Sequence, residues 1–398
     1  MFRRSFLLVL AALLAVAVFA AGCGKSKPAA GPEPAGETAK ETYKIGAVVD
    51  ISGPAASLGE PERDTLEMLE EELNAKGGID GHPIDLIILD NKSNETEAVL
   101  AAKRLIEQEK VLAVIGCSQS STSLAMVDTV TKSKVPMISM AASAKIVTPV
   151  EERQWVFKTA QSDIIVANKI ARYLVKKGLK NVAFLSVNNA FGDSGLQNFE
   201  AAASENGINI ILKEKFEATD TDMTAQLAKV KASKAQATVV WAIPPAASIV
   251  TKNFRDLGIN MPLVHTHGIG NKKFLELAGD AANGVVAPLG KLLVAEQLPD
   301  SDPQKQVLLD YINDYQQKYN ARPSTFGGHA HDAFNLVVRA IEQAGPDRAK
   351  IRDALEQITG YAGISGVFNL SPEDHNGLGE DSMVLVEIKE GKWQLLEL

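Results

Sequence analysis

The chain has 398 residues, 45% hydrophobic and 23% charged, a globular balance with enough material for two domains. Its net charge is −8 and no run of lysine or arginine interleaves with aromatics, which excludes nucleic acid as a partner. The first element is not globular. "MFRRSF" carries two arginines, and Phe6 to Ala21 is an unbroken apolar run of 16 residues that ends in "AAGC". This is the layout of a secretory signal, and it falls short of the ~20 residues that a spanning helix needs.

The small residues before Cys23 resemble a bacterial lipobox, with Ala20 where leucine is usual. The expectation is a signal over 1–22, lipidation of Cys23, and an anchored protein outside the cytoplasmic membrane, in the periplasm or at the cell surface. "GKSKPAAGPEPAGETAKET" follows, too rich in Pro, Ala, Gly and Glu to form a core. It reads as a flexible tether over 23–42. With Cys23 lipidated, Cys117 has no partner for a disulfide. Its place at a strand end among small residues reads as a buried structural residue.

From Tyr43 the pattern alternates. "YKIGAVVD" is an apolar strand, and Leu66, Leu69 and Leu73 fall at helical spacing between Leu58 and Lys76. Gly77 and Gly78 stop that helix. "IDLIILD" is a strand, Glu95 to Glu109 a helix, "VLAVIG" a strand, then a helix from about Ser121 and the strand "VPMIS". Near-continuous apolar strands between helices imply a parallel sheet covered on both faces.

A second block repeats this construction. Asp163 to Lys177 reads as a helix, "NVAFLSV" as a strand, then come a helix from Gly192, "INIILKE", a helix from Asp222, "ATVVWAI", a helix over Ala246 to Leu257, and "PLVHT". Helices over Pro303 to Tyr319 and Gly328 to Ala344 follow. Glu390-Gly391 between alternating runs signals a C-terminal hairpin. The fold class is α/β in two lobes, and the groove between them is the expected ligand site.

Catalytic motifs are weak. "GCSQS" lacks the second glycine of a nucleophile elbow, since Ser120 stands there. His265 and His267, or His329 and His331, have the spacing of some metal ligands, but no further ligands stand at recognisable distances. A metal hydrolase built on His265 and His267 is the enzymatic alternative. "GGIDG" and "SGPAASLG" lack nucleotide-binding spacing. Neither a cofactor nor a metal is expected. "VIGCSQSST" is more telling. A buried strand gives way to hydroxyls where a helix starts, and the neighbouring "VPMIS" ends in "MAASA". Ligands of open parallel sheets bind beyond such strand ends, and a helix start favours anions. Serine there is equally an ordinary helix cap.

"IGAVVDISGPAASLGE", "LNAKGGIDGHPIDLIILDN", "VIGCSQSST" and "VPMISMAASA" resemble the first lobe of bacterial binding proteins for leucine, isoleucine and valine. "NAFGDSG" and "GHAHDAFNLVVRAIEQAG" resemble later motifs of that family, so the likeness runs from Tyr43 onward. It implies a type I periplasmic-binding fold with three hinge crossovers, lobe 1 being 43–160 plus 289–360 and lobe 2 being 161–288 plus 361–398. It implies a monomeric, non-enzymatic solute receptor for an ABC permease of the branched-chain amino acid type. A ligand sensor feeding a signalling receptor would share this layout.

Carried over by position, the carboxylate grip falls on Ser120, on the backbone near Ala141 and Ala142, and on Ser143. The acid that receives a ligand ammonium in leucine-type members aligns with His267. Leu58, Phe191 and Pro244 replace family aromatics in the pocket wall. These departures point to a small hydrophobic carboxylate such as an aromatic acid or a branched 2-oxo acid. A branched-chain amino acid held by other residues is the alternative.

Overall fold

The computed structural model describes residues 40–397. The expected signal, Cys23 and the tether up to residue 39 lie outside the described residues. Among the described residues no helix is long and apolar enough to cross a membrane.

The first lobe contains β1 (Tyr43–Val49), α1 (Ala56–Ala75), β2 (Ile84–Asp90), α2 (Glu95–Arg104), β3 (Val114–Gly116), α3 (Ser120–Ser133), β4 (Met137–Ser139) and β5 (Val156–Lys158). Its five strands are all parallel, in the order β2-β1-β3-β4-β5. The central strands are buried because helices cover both faces, which is why they read as unbroken apolar runs.

The chain then crosses over and builds α4 (Asp163–Lys176), β6 (Asn181–Val187), α5 (Ala190–Glu205), β7 (Asn209–Phe216), α6 (Thr224–Ala232), β8 (Ala237–Trp241), α7 (Ala246–Asp256), β9 (Leu263–His265), α8 (Lys272–Ala278) and β10 (Val286–Gly290). It returns through α9 (Lys305–Tyr319), α10 (Thr325–Ala344), α11 (Arg348–Leu355), β11 (Tyr361–Ala362) and β12 (Val367–Phe368). A last crossing delivers β13 (Met383–Lys389) and β14 (Lys392–Leu395). The second sheet has the order β14-β13-β10-β9-β8-β6-β7, parallel from β10 to β7, with β13 and β14 antiparallel. Glu390, with φ 49°, and Gly391, with φ 68°, form the turn between β13 and β14, as the Glu-Gly pair predicts.

Two crossing points differ from expectation. A return at 289 would cut β10, whose Leu289 and Gly290 pair with β13 of the second sheet. A return at 361 is also too early. His375 stacks on Phe157 of β5 at 4.1 Å, and Asn376 donates to the carbonyls of Lys158 and Ala160 at 3.3 and 3.1 Å. The segment between β12 and β13 therefore leans on first-lobe strands as far as Asn376, before Glu380 meets Lys169 and Arg172 of α4 in the second lobe. The crossovers are short and buried, so no change in composition marks them.

Helix starts explain how the cleft is shaped. Asn94, Ser162, Asn189, Asn271, Ser324 and Asp347 each cap a helix with a side-chain oxygen. At α3 the cap position is Gln119, which gives no such bond. Gly116 makes the turn into that helix possible. Its φ is 127°, and a Cβ there would lie 2.0 Å from the Val48 carbonyl oxygen.

Candidate functional site

A cleft lies between the lobes, and its empty space, the open mouth included, is about 490 Å³. The first lobe contributes Leu58 from α1, Gln119 to Ser121 at the start of α3, and Met140 to Ala142 after β4. The second contributes Asn189 and Phe191 at the start of α5, Ile243 after β8, and His267 and Gly268 after β9. Ser118, Ala160, and Phe326 and His329 of α10 complete it.

Six of the residues expected here, Leu58, Ser120, Ala141, Ala142, Phe191 and His267, do line the cleft. Two do not. Ser143 is fully buried behind the wall, where its hydroxyl accepts from the Lys145 N–H at 3.3 Å. Its own backbone N–H donates to the Ser120 hydroxyl at 3.2 Å, so it positions Ser120 rather than facing solute. Pro244 is displaced from the wall by its neighbour Ile243. Alignment through a short variable segment carries a one-residue error easily, and one residue changes the direction of a side chain. Asn189 and His329 belong to the motifs "NAFGDSG" and "GHAHDAF", so a signal for them existed; Phe326 had none.

Ser120 is the first residue of α3, not its cap. Because it already accepts one hydrogen bond, its O–H is the part left to donate. The first N–H groups of α3 have no acceptor within the helix and add donors at the same place. The loop that carries them is moored from below. Asp50, fully buried, accepts from the N–H of Ser118 at 3.0 Å, the N–H of Gln119 at 3.4 Å, Gln119 Nε2 at 2.8 Å and the Thr122 hydroxyl at 3.4 Å. The Ser118 hydroxyl is spent on Glu62, a fully buried carboxyl pushed well above the usual range by burial. Ala141 gives its N–H to Ser139 at 3.1 Å.

Among the described residues no aspartate or glutamate lines the cleft. The polar groups opposite α3 are the Asn189 amide, whose oxygen caps α5, and two imidazoles. His267 meets Phe191 edge-on at 5.9 Å, and its Nδ1 has no partner among the described residues. His329 is oriented by Ser365, 2.8 Å from its Nδ1. Burial, and then the nearby His329 and Lys158, push His267 down to about 3. Burial likewise pushes His329 down to about 4, against the pull of Asp332.

The sign of the resulting pH dependence is definite. Both rings are neutral in the folded protein, whereas the unfolded chain takes up protons below about 6.5. Stability present above pH 6.5 is therefore lost as the pH falls towards 4 and 3. The melting temperature of the wild type should fall on acidification below about pH 6.5 and fall less in His267→Gln. An equal slope in both proteins would remove His267 from that account.

The other sequence candidates part company. His265 points to Thr251 at 2.9 Å and packs edge-on against Phe274, away from His267. His331 lies beside Tyr311 with ring centroids 5.0 Å apart, away from His329. The first pair parts because β9 ends at His265 and His267 already belongs to the turn that follows, and the second because i and i+2 on a helix face different ways. Among the described residues no group of three or more metal-ligating side chains forms. Cys117 is fully buried, and burial raises its thiol well above the usual range.

Residues 42–392 match the family model described as a periplasmic binding protein. The leucine-, isoleucine-, valine-, threonine- and alanine-binding protein of Pseudomonas aeruginosa is 25% identical over 324 residues, 81% of this chain and 84% of its own length. Among solved structures, an extracellular ligand-binding receptor from Rhodopseudomonas palustris HaA2 superposes with a TM-score of 0.85 at 31% identity, covering 90% of this chain and 100% of that one. A branched-chain amino acid transporter substrate binding protein from Streptococcus pneumoniae, solved with isoleucine, superposes with a TM-score of 0.79 at 27% identity, covering 89% and 99%.

Proposed function

This chain belongs to the periplasmic binding protein family, and on that premise we propose that it is the solute receptor of an ABC importer, with a small hydrophobic carboxylate lacking an ammonium group as its ligand. The family binds solutes rather than transforming them, and the cleft offers donors and apolar walls. The ligand carboxylate accepts from the Ser120 hydroxyl and the first N–H groups of α3, with the Ala142 backbone beside it. Leu58, Phe191, Ile243 and Phe326 bury the apolar body. Closing the lobes on the ligand by hinge motion gives the permease a shape to recognise.

Among the described residues no carboxylate lines the cleft, where neutral imidazoles stand instead, and this carries the choice of ligand class. An α-amino acid brings an ammonium that needs a negative partner. Glu62 stands behind Ser118 with its carboxyl raised by burial, and Asp50 is occupied by the loop. A neutral imidazole at His267 can share a hydrogen bond with a keto or hydroxyl oxygen but cannot neutralise an ammonium.

A thermal-shift series with leucine, isoleucine, valine, their 2-oxo acids and benzoate tests this, since a ligand that binds only the folded state raises the melting temperature. The acids without an amine should give the larger shifts. Leucine giving the largest shift would overturn the ligand class and leave the receptor role standing. Ser120→Ala should weaken every carboxylate ligand by about 1–2 kcal/mol, as expected for one hydrogen bond to a charged group. Unchanged affinity in titration calorimetry would take Ser120 out of the site.

A further inference from the structure

Two fully buried carboxyl groups meet at Ser118, and they are satisfied unequally. Asp50, at the exit of β1, accepts from four donors of the segment that starts α3, which suits a charged carboxylate. Glu62, on α1, has one. Its Oε2 meets the Ser118 hydroxyl, and its Oε1 is buried with no partner among the described residues. Of the two, Glu62 is the one built to hold a proton. Ser118 itself lines the cleft. Its oxygen already accepts the Asp50 N–H at 3.2 Å, which leaves one lone pair and one hydrogen to place. A hydroxyl and a carboxyl can share their bond in either direction, according to where the proton lies. With Ser118 donating inwards to Glu62, nothing of it remains for a solute. With the proton on Glu62 Oε2, the bond reverses and the Ser118 hydrogen is set free.

We propose that Glu62 is a positioning residue for the carboxylate grip: protonated on Oε2, it donates to Ser118 Oγ and so releases the Ser118 O–H to the ligand carboxylate, alongside the Ser120 hydroxyl. The inference deepens the carboxylate reading and rests on it. An anion in the cleft favours the reversed bond, because it repels a charge on Glu62 and attracts the released hydrogen. Any proton that Glu62 takes up comes from solvent, and only the direction of one hydrogen bond changes. Among the described residues no cation pairs with Glu62 to steady its ionised form. Arg63, next to it on α1, is paired with Asp64. The titratable neighbours are Asp50 from β1 and the Cys117 thiol that follows β3. From α9, Tyr311 bonds Thr65 at 2.7 Å, one turn along α1, and α10 sets Gly327 and His331 against that tyrosine. His267 and His329 share the cleft with Ser118 as neutral rings. Burial pushes the Glu62 carboxyl well above the usual range, against the Ser118 bond and with Asp50 adding to the rise.

Carboxylate affinity should then follow the Glu62 proton. Wild-type binding of benzoate or 4-methyl-2-oxopentanoate should weaken about tenfold between about pH 5.5 and about pH 8.5, the equivalent of one hydrogen bond to a charged group. Glu62→Gln, whose amide donates to Ser118 at every pH, should keep the tighter value throughout and therefore bind more strongly than the wild type at the higher pH. Ser118→Ala should weaken binding about tenfold at the lower pH and little at the higher, where Ser118 serves an ionised Glu62 in any case. Parallel pH profiles for the wild type and Glu62→Gln, or an equal loss in Ser118→Ala at both pH values, would show residues that only prop the loop and would overturn the proposal. The ligand-free proteins test the proton without the ligand. The folded Glu62 carboxyl is raised above its ordinary 4.5, so stability present below that pH is lost as the pH rises towards the folded value. The melting temperature of the wild type should therefore lose ground to that of Glu62→Gln as the pH rises above 4.5. If neither acid binds the wild type, the ligand class falls, and a difference in melting temperature that stays constant with pH would still overturn the Glu62 proton.

Discussion

His267→Glu is expected to reverse the ligand preference of the cleft, making leucine the better ligand and 4-methyl-2-oxopentanoate the worse. In the wild type the ammonium of leucine would be buried without a negative partner, at a cost of roughly 3–5 kcal/mol by analogy with broken buried ion pairs. That is a factor of about a hundred to a few thousand in dissociation constant. The 2-oxo acid has the same branched side chain and the same carboxylate, so the comparison isolates the amine. Glutamate at position 267 supplies the missing charge for leucine and sets a second carboxylate near that of the oxo acid. Ligand-free His267→Glu should melt lower than the wild type, and leucine should restore much of the difference. Calorimetric titration of both solutes against both proteins gives the four affinities needed. If their ratio is the same in the two proteins, His267 does not face the amine position and the ligand assignment loses its basis.

The second large effect is expected below the site. Asp50→Ala removes the acceptor on which two backbone N–H groups, one side-chain amide and one hydroxyl converge. All are buried or half-buried, so the donors left behind find no water to replace it. The loss should be about 3–5 kcal/mol, lowering the melting temperature by roughly 10 °C. Asp50→Asn should rescue part of it, because its Oδ1 can still accept from the Ser118 and Gln119 N–H groups while the Gln119 amide turns its Oε1 to the new N–H₂. Ligand affinity should fall with stability, since Gln119 to Ser121 are the segment that Asp50 moors. Asp128→Ala, at an exposed ion pair with Lys132, provides the control and should leave the melting curve unchanged. A melt for Asp50→Ala matching that control would mean the α3 start is held by packing alone.

Much of the fold was legible from residue order. Apolar strands such as "VVD" and "VLAVIG" alternate with helical spacing over two blocks, and the two sheets follow that division. The hydroxyl cluster after "VLAVIG" also lies at the cleft wall, as a parallel strand end and a helix start, both local facts, suggest. What it could not reveal was the division of labour within the cluster. Ser118 serves Glu62, Ser123 bonds Ser139 at 2.8 Å, Ser143 serves Ser120, and only some of these hydroxyls are left for a solute. Serine is equally at home in each role, so partners decide between them.

Chain order alone thus determined the alternation and the two-lobe plan, because these depend on residue type and local periodicity. Tertiary structure alone decided that Ile243 rather than Pro244 meets the cleft, that the chain stays with the first lobe past residue 361, and that Ser143 stands behind the cleft wall and serves Ser120. Those outcomes depend on which distant segments come within a few ångströms of each other. Burial turns such neighbours into energies of several kcal/mol, while in the extended chain they are worth nothing.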